Sequence, residues 1–284
     1  MNAKELVRGA VDLVSLPDVA IQVNEMIDDP RYNGNHLGSV ISTDPGLSVR
    51  LLKIVNSAFY GFPAKIDTVG RATTIVGSQD LRSMVLATSA VGAFSKIPQE
   101  LVDITDFWVR SIQCAIISRI LAKSCGVLQP ERLFVAGLLS DIGSLLMYSK
   151  LPDACREILT VAAENRSIVP DMEQELLGFT HADVGAELCG LWNLPDALRE
   201  TVACHLNPGN ASEYRLDACL VYVASRLCEV SVDGCELDRV LIDIPDSIMS
   251  LLKLDRDKIV DVLKKVGPDF ASIFDLIVPK VKVL

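Results

Sequence analysis

One carboxylate lies alone in the most apolar segment of the chain. Between Arg132 and Lys150 every residue is uncharged except Asp141. A buried carboxylate without a partner is costly, and its pKa would rise until it took up a proton. Asp141 is therefore solvated in a cleft, bound to a metal ion, or paired with a cation. Each of these alternatives points to a different function.

Eight cysteines offer thiol chemistry, but none of them forms a C-x-x-C pair. Most lie inside apolar helical patterns, which is typical of free buried thiols in a chain without an export signal. We therefore expect no disulfide framework. The positions are Cys114, Cys125, Cys155, Cys189, Cys204, Cys219, Cys228 and Cys235.

The elements that must position these groups are helices, because apolar residues recur at helical spacing almost throughout. In DPGLSVRLLKIVNSAFYG, Asp44 is a suitable N-cap and Pro45 suits the first helical position. The apolar stripe continues to Phe59, and Gly61 and Pro63 then predict the end of the helix. There is no alternating strand pattern and no fixed-period repeat. The sequence predicts an all-α fold.

The segment NSAFYG at the end of that helix has two interpretations. Asn56, Ser57 and Tyr60 could form a recognition surface. Alternatively, Asn56 hydrogen-bonds the backbone of a neighbouring loop, and the apolar stripe is core. We favour the structural interpretation.

Two lobes are expected, from about residue 13 to 97 and from about 106 to 230, within a domain over residues 1–240. The segment SKIPQELVDIT, residues 95–105, is the predicted break, and SVDGCELDRVLIDIPDS, residues 231–247, is predicted to be a loop. Residues 241–284 form a C-terminal helical extension. Its clearest helix, DRDKIVDVLKKVGP, is predicted to end at Gly267 and Pro268.

Composition and charge argue against several classes of protein. The net charge is −10, and no Lys/Arg cluster exceeds short pairs such as Lys264 and Lys265. A nucleic-acid binder needs a basic face, so we expect no direct nucleic-acid binding. The uncharged run from Ser83 to Ser95 is far shorter than the roughly 20 residues of a membrane span. With no signal-peptide pattern at the N-terminus, we expect a cytoplasmic protein without a membrane partner.

Several motifs together resemble the HDOD family, the HD-related output domain of bacterial signalling proteins. They are LPDVAIQVNEMIDD, ISTDPGLSVRLLKIVNSAFYGFPAKIDTVGRATTIVGSQDLRSMVL, FWVRSIQCA, FVAGLLSDIGSLLMY, ELLGFTHADVGAELCGLWNLP and VACHLNP. The resemblance covers about residues 13–230. It implies a helical N-terminal lobe followed by an HD-phosphohydrolase-like helical core, and a role in signal transduction.

The resemblance also implies where a metal site would lie. Active HD hydrolases hold a divalent metal with a His, a His-Asp pair and a later Asp, and many add a Lys after the pair. In this sequence the first His falls on Arg110, the pair on Ser140 and Asp141, the Lys on Ser144 and the last Asp on Ser225. Of the four primary ligands only Asp141 remains, which predicts a degenerate site.

A residual metal site is the first alternative that the resemblance leaves open. The candidate ligands are Asp141, His181, Cys204 and His205, whose types suit zinc. Cys204 and His205 are adjacent on a predicted helix and about 100° apart, which makes joint ligation awkward. In the structural alternative, His181 lies in the first turn of a capped helix and His205 in a C-terminal turn.

The second alternative is an ion pair. Arginine cannot ligate a metal, and its fixed charge repels a divalent ion. We therefore hypothesise that the Arg110 guanidinium pairs with Asp141 in place of the lost metal. Arg110 could also meet an anion such as phosphate, which would make the cleft a small-ligand sensor.

The function favoured by the sequence is a non-catalytic bacterial signalling protein that acts through protein–protein contacts. We expect no cofactor; the alternative is one divalent metal such as zinc, manganese or iron. The enzyme alternative is a metal-dependent phosphohydrolase acting on a nucleotide or a phosphodiester. Unidentified signalling proteins are the expected partners, and a homodimer is possible in principle.

Overall fold

The computed structural model describes residues 1–27, 29, 31–94, 101–163, 165–230 and 237–278. Within these ranges the chain forms seventeen α-helices and no strand, which confirms the all-α prediction. Short 3₁₀ helices occur at Val11–Leu13, Arg166–Ile168 and Pro208–Asn210. The α-helices in chain order are α1 (Ala3–Arg8), α2 (Asp18–Ile27), α3 (Gly34–Ile41), α4 (Pro45–Val55), α5 (Val69–Val76), α6 (Ser78–Phe94), α7 (Ile104–Ser124), α8 (Pro130–Leu139), α9 (Ile142–Lys150), α10 (Pro152–Val161), α11 (Val169–Leu177), α12 (His181–Leu191), α13 (Asp196–Cys204), α14 (Arg215–Leu227), α15 (Leu237–Ile242), α16 (Asp246–Leu252) and α17 (Arg256–Ile277).

Contacts group the residues into two compact units. The large unit comprises residues 1–14 and 97–259, and the small unit comprises residues 15–96 and 260–284. The domain bounds proposed from the sequence, 1–240 and 241–284, stay a prediction. Residues 95–100 of the predicted break and residues 231–236 of the predicted loop lie outside the described residues.

In the small unit, α4 begins as the sequence predicts. Asp44 Oδ1 accepts a hydrogen bond from Leu47 N at 2.9 Å, and Pro45 is the first helical residue. The predicted end at Gly61 is wrong, because α4 ends at Val55. The chain turns there because the Asn56 side chain, at the C-cap, is bound to the loop that follows.

Asn56 joins the end of α4 to the backbone of Ile66. Its Nδ2 donates to Ile66 O at 2.7 Å, and its Oδ1 accepts from Ile66 N at 2.8 Å. The same Nδ2 also donates to Leu52 O at 2.7 Å. The structural interpretation of Asn56 is confirmed.

Two predictions for the C-terminal part are wrong. Residues 237–242 of the predicted loop form α15, which buries Leu237 and Val240. Helix α17 does not end at Gly267 but continues through Pro268 to Ile277. Pro268 removes one hydrogen bond from the carbonyl of Lys264. Both residues are exposed, so water can satisfy that carbonyl and the helix can continue.

The large unit contains the core that holds Asp141. Helix α7 packs against α8 and α14, while α12 packs against α9 and α13. Helix α7 is buried along most of its length, and Trp108 is 2% exposed. Two chain-distant segments also meet here, since Trp192 Nε1 donates to Val14 O at 2.8 Å.

Close approach of α9 and α12 depends on a glycine. A Cβ atom at Gly143 would lie 2.1 Å from the carbonyl oxygen of His181 and 2.7 Å from Gly185 N. Any other residue at this position would force the two helices apart. Gly143 therefore sets the distance between the element that carries Asp141 and the element that carries His181.

The segment Pro130–Lys150 is long and apolar enough to pass a composition test for a membrane span. However, 78% of its most apolar window is buried inside the protein, as in the core helix of a soluble domain. It is also divided between α8 and α9 at Ser140 and Asp141. The test is thus weak support for a membrane span.

The seven cysteines in the described part of the chain are all free thiols. Cys235 lies outside the described residues. For those seven residues, the expectation of no disulfide framework is confirmed.

Candidate metal centre

Asp141 lies at the turn between α8 and α9, at the N-cap position of α9. Its carboxylate does not cap the helix, and 27% of the side chain is exposed. Oδ1 lies 3.7 Å from Nε2 of both His181 and His205. Oδ2 lies 3.8 Å from Nε of Arg110. The two oxygens of one carboxylate therefore face different partners.

His181 is the first residue of α12 and is buried. Thr180 and Asp183 form the predicted capping box: Thr180 N donates to Asp183 Oδ2 at 2.8 Å, and Asp183 N donates to Thr180 Oγ1 at 3.3 Å. Oε2 of Glu173, on α11, lies 2.7 Å from His181 Nδ1. Because a carboxylate only accepts, Nδ1 carries the hydrogen of this bond, and Nε2 remains on the side of Asp141.

His205 is fully buried at the C-cap of α13. Its Nδ1 lies 2.7 Å from the carbonyl oxygen of Val202, so Nδ1 donates to that carbonyl and Nε2 is on the side of Asp141. Among the described residues, Nε2 has no hydrogen-bond partner. A buried polar atom without a partner is costly, and this one is 3.7 Å from Asp141 Oδ1.

Arg110, on α7, lies between two carboxylates. Its Nη2 is 3.6 Å from Glu229 Oε1, and its Nε is 3.8 Å from Asp141 Oδ2. The hypothesis that Arg110 pairs with Asp141 agrees with this geometry. A bidentate hydrogen-bonded contact does not form, since the 3.8 Å between Nε and Oδ2 exceeds hydrogen-bond distance.

Electrostatics at the cluster are dominated by opposing effects of burial and charge. Burial alone would raise the pKa of Asp141, but His205, His181 and Arg110 hold it well below its usual range. Burial alone would lower the pKa of His181, but Glu173 and Asp141 raise it to about 9. Burial would also lower the pKa of Arg110, and the nearby Asp141 charge is the largest of those that raise it. A metal ion would therefore have to displace a proton from His181.

The three side chains fit a divalent metal ion. One ligand atom each from Asp141, His181 and His205 lies within 4.8 Å of the others. Ligands bound at roughly 2 Å from one ion are themselves about 3–4 Å apart, close to the observed 3.7 Å separations. Each Nδ1 already has a partner, as is usual for a histidine that ligates through Nε2. The orphaned Nε2 of His205 would gain a ligand bond.

The other residues selected from the sequence take different places. Cys204 is half-buried and does not belong to the three-residue group found among the described residues. Ser140 Oγ donates to Gly137 O at 3.0 Å, and Ser225 Oγ donates to Tyr222 O at 2.9 Å. Ser144 is buried and lines the cleft in front of Asp141. None of the three serines belongs to the group of possible metal ligands found among the described residues.

Asp141 opens into a cleft of about 490 Å³ whose walls all belong to the large unit. Burial raises the pKa of the Tyr148 phenol in this wall, and the charges of Glu173 and Asp141 raise it further, so Tyr148 stays protonated as a donor. A second depression of about 680 Å³ shares only Arg226 and Ser167 with the cleft and contains none of the cluster residues. The aromatic residues and arginines that line the cleft are Phe107, Arg110, Tyr148, Arg166, Tyr222 and Arg226.

Two residues of the site were missed in the sequence analysis. Glu173 is one of several acidic or amide residues in DMEQEL, and nothing in the pattern singles it out. Glu229 follows the end of α14 and reaches Arg110 across the cleft. Their roles depend on the packing of helices that are distant in sequence.

Comparison with known proteins agrees with this architecture. The family model described as HDOD domain matches residues 13–208. A Treponema pallidum (strain Nichols) protein, named only as an uncharacterized protein, is 26% identical over 205 residues. The match covers 71% of this chain and 39% of that protein, so the chain corresponds to well under half of the curated relative's length.

Solved structures share the fold. One, from Shewanella amazonensis SB2B and named "Putative phosphohydrolase", has 27% identity and a TM-score of 0.76, covering 96% of this chain and 97% of its own. Another, from Marinobacter aquaeolei VT8 and named "Putative signal transduction protein", has 21% identity and a TM-score of 0.68. That match covers 93% of this chain and 60% of its own.

Proposed function

Because the chain belongs to the HDOD family, we propose that it is a non-catalytic signalling protein of the bacterial cytoplasm that acts through protein–protein contacts. The observation that carries the proposal is the position of Arg110, whose guanidinium lies 3.8 Å from Asp141. The resemblance to active HD hydrolases implies a histidine ligand at this position. Arginine stays protonated and cannot ligate. The solved relative named for signal transduction supports the same reading.

The other replaced ligand positions also argue against hydrolysis. The hydroxyls of Ser140 and Ser225 donate hydrogen bonds to backbone carbonyls of α8 and α14, respectively. Serine is in any case a poor ligand for transition metals. Of the four primary ligands that the resemblance implies, only the Asp141 carboxylate remains, and the other three are replaced by Arg110, Ser140 and Ser225.

We propose that Asp141, His181 and His205 hold one divalent ion such as zinc, manganese or iron. This revises the expectation of no cofactor in favour of its alternative. When bound, such an ion would supply positive charge and Lewis acidity to an anionic ligand in the cleft. Because Arg110 faces Oδ2 of Asp141 and the histidines face Oδ1, the guanidinium and the ion can share one carboxylate.

Metal content per chain tests this part of the proposal. Untagged protein would be purified without chelators from medium containing zinc, manganese and iron, and analysed by mass spectrometry. We expect close to one equivalent in wild type and a loss in Asp141→Asn and His205→Gln. His36→Gln is the matched control, since His36 caps α3 in the small unit. A metal-free wild type, or equal loss in the control, would contradict the proposal.

A metal-dependent phosphohydrolase is the second candidate, favoured by the three-residue metal set and by the relative named for that activity. Metal-loaded protein would be assayed with bis-p-nitrophenyl phosphate and with nucleotides, beside Asp141→Asn. We expect no turnover above that of the variant. Turnover that disappears in Asp141→Asn would replace the signalling proposal with the hydrolase.

A sensor of a small anionic ligand is the third candidate, because Arg110 lines the cleft beside the cluster. Titration calorimetry with inorganic phosphate would compare wild type with Arg110→Met. Arg156→Met is the control, since Arg156 is exposed and pairs only with Asp153 among the described residues. Saturable binding lost in Arg110→Met alone would support the sensor, and no binding in wild type would remove it.

Assembly and localisation complete the proposal. We propose signalling proteins as partners, with a homodimer as one assembly to be tested and no direct binding to nucleic acid or membrane. Light scattering after gel filtration would test the dimer, and a monomer at micromolar concentration would exclude it. Binding to DNA or to anionic vesicles at physiological salt would contradict the expectation drawn from the net charge of −10.

A further inference from the structure

Glu173 is a buried carboxylate whose hydrogen bonds, among the described residues, both go to His181. Its Oε2 accepts a hydrogen bond from the backbone N of His181 at 2.8 Å and lies 2.7 Å from His181 Nδ1. The Glu173 side chain is 4% exposed and the His181 side chain 8% exposed. We propose that Glu173 is the positioning residue of the site, fixing the ring orientation and the Nδ1–H bond of His181 so that Nε2 faces Asp141.

The local fold explains how this contact forms. Helix α11 ends at Leu177, and Gly178 follows with φ of 78°, which reverses the chain. Thr180 then caps α12, so His181 becomes the first residue of that helix. Its N–H is one of those that a helix leaves without an internal partner. The Glu173 carboxylate accepts a hydrogen bond from that N–H. It thereby places a negative charge at the start of α12, where the helix dipole makes a negative charge favourable.

One carboxylate oxygen that binds both N–H and Nδ1 holds the backbone and the ring of the same residue. The imidazole then has little freedom to turn, and its other nitrogen is directed at Asp141 Oδ1, 3.7 Å away. A carboxylate behind a histidine ligand also makes that ligand more basic. This consequence rests on the proposed metal site, whereas the orientation of the ring does not.

His205 gives the contrast that makes the role of Glu173 testable. Its Nδ1 is oriented by the backbone carbonyl of Val202, which no substitution removes. His181 is oriented by a side chain. A single amide substitution, Glu173→Gln, keeps size and one acceptor oxygen but removes the charge.

The experiment compares Glu173→Gln and Glu173→Ala with Glu131→Gln. Glu131 is the matched control, because it is also buried and bound, through Arg119, but does not touch the cluster. The ¹⁵N chemical shifts of the His181 ring would be measured in chelator-treated protein. His36→Gln and His205→Gln would assign the three histidines. Zinc and manganese dissociation constants would be measured by calorimetry.

We expect Glu173→Ala to shift the His181 ring nitrogens and to weaken metal binding by about 10–100-fold, the usual effect of losing such an outer partner. Glu173→Gln, which keeps an acceptor oxygen, should have the same effects to a smaller degree. Glu131→Gln would lower the melting temperature yet leave the His181 shifts unchanged and the dissociation constants within about twofold. The ordering of wild type, Gln and Ala is the signature of positioning.

The outcomes separate this inference from the proposed metal site. Metal binding in wild type with unchanged shifts and affinity in Glu173→Ala would overturn the inference and leave the metal site standing. A metal-free wild type whose His181 shifts still depend on Glu173 would overturn the metal site and leave the orientation standing. Equal changes in Glu131→Gln would mean a general loss of stability and would overturn positioning.

Discussion

The two oxygens of Asp141 divide the site between an arginine and a pair of histidines. Oδ2 faces the Arg110 guanidinium and Oδ1 faces the imidazole Nε2 atoms. A fixed positive charge this close opposes a divalent ion even though it does not occupy the same oxygen. A metal ion at the proposed site would therefore bind more weakly than the three ligands alone would allow.

The first prediction follows from that opposition. Arg110→Met should tighten manganese or zinc binding by about tenfold, equivalent to about 1.4 kcal/mol, because a repelling charge is removed. Calorimetry on chelator-treated protein measures the change, with Arg156→Met as the exposed control. Weaker binding in Arg110→Met would mean that the guanidinium instead holds Asp141 in its binding position.

Part of this site could be predicted from residue types alone. The capping box of Thr180 and Asp183 at the start of α12 is a local pattern, and the geometry confirms it. The choice of His205 over its neighbour Cys204 depends on the direction of side chains at the end of α13. Sequence spacing showed only that joint ligation by both residues is awkward.

Asn56 links the residue scale to that of the elements, since one amide ties the end of α4 to a loop ten residues away. Asn56→Ala should cost about 2 kcal/mol of unfolding free energy, because the N–H and carbonyl of buried Ile66 lose their partner. Urea titration measures it. Ser57→Ala is the control, since the Ser57 hydroxyl donates to Ile54 O, three residues earlier, and to no other group among the described residues. Equal stability of the two variants would contradict the prediction.

At the scale of elements, the spacing of α9 and α12 decides whether the cluster forms. Gly143→Ala would place a Cβ atom 2.1 Å from the His181 carbonyl oxygen, so one helix must move. We expect a loss of about 1–3 kcal/mol or more in stability, together with weaker metal binding. Denaturant titration and calorimetry on the same samples measure both effects.

A helical glycine with room for a side chain provides the control for Gly143. Among the described residues, a Cβ atom at Gly92, in α6, would meet nothing within 4 Å. Gly92→Ala should therefore stabilise the protein by about 0.5–1 kcal/mol and leave metal binding unchanged. Full metal affinity in Gly143→Ala would show that α9 and α12 do not set the geometry of the cluster.

Helix starts were easier to predict than helix ends. Asp44 and Thr180 satisfy backbone N–H groups within three residues, so the pattern that marks them is local. The end of α4 depends on Ile66, and the persistence of α17 through Pro268 depends on exposure. Neither can be read from adjacent residues.

At the scale of the whole molecule, helical periodicity was sufficient to predict the fold class, because it is repeated in nearly every segment. The grouping of residues 1–14 with residues 97–259 was not readable from the sequence. Contacts such as that between Trp192 and Val14 span 178 residues, and no local pattern encodes them.

A buried thiol should make the free energy of unfolding fall at alkaline pH. Cys189 is 0% exposed, and burial raises its pKa from 9.0 to about 12 although Arg199 opposes the rise. Because the folded pKa lies above the unfolded one, the contribution of the neutral thiol is fully present below the unfolded value. It is lost as pH rises from about 9 towards 12.

The last prediction concerns how steeply the unfolding free energy falls with pH because of this thiol. Between pH 9.5 and 11.5 (a window taken from those two pKa values), the unfolding free energy of wild type should fall more steeply than that of Cys189→Ala, by about 1.4 kcal/mol per pH unit. Urea titrations with reductant present measure both slopes. Between about pH 6 and 8 the slopes should coincide, because the thiol is neutral in both states. Identical alkaline slopes would mean that Cys189 ionises as readily in the folded protein as in the unfolded chain.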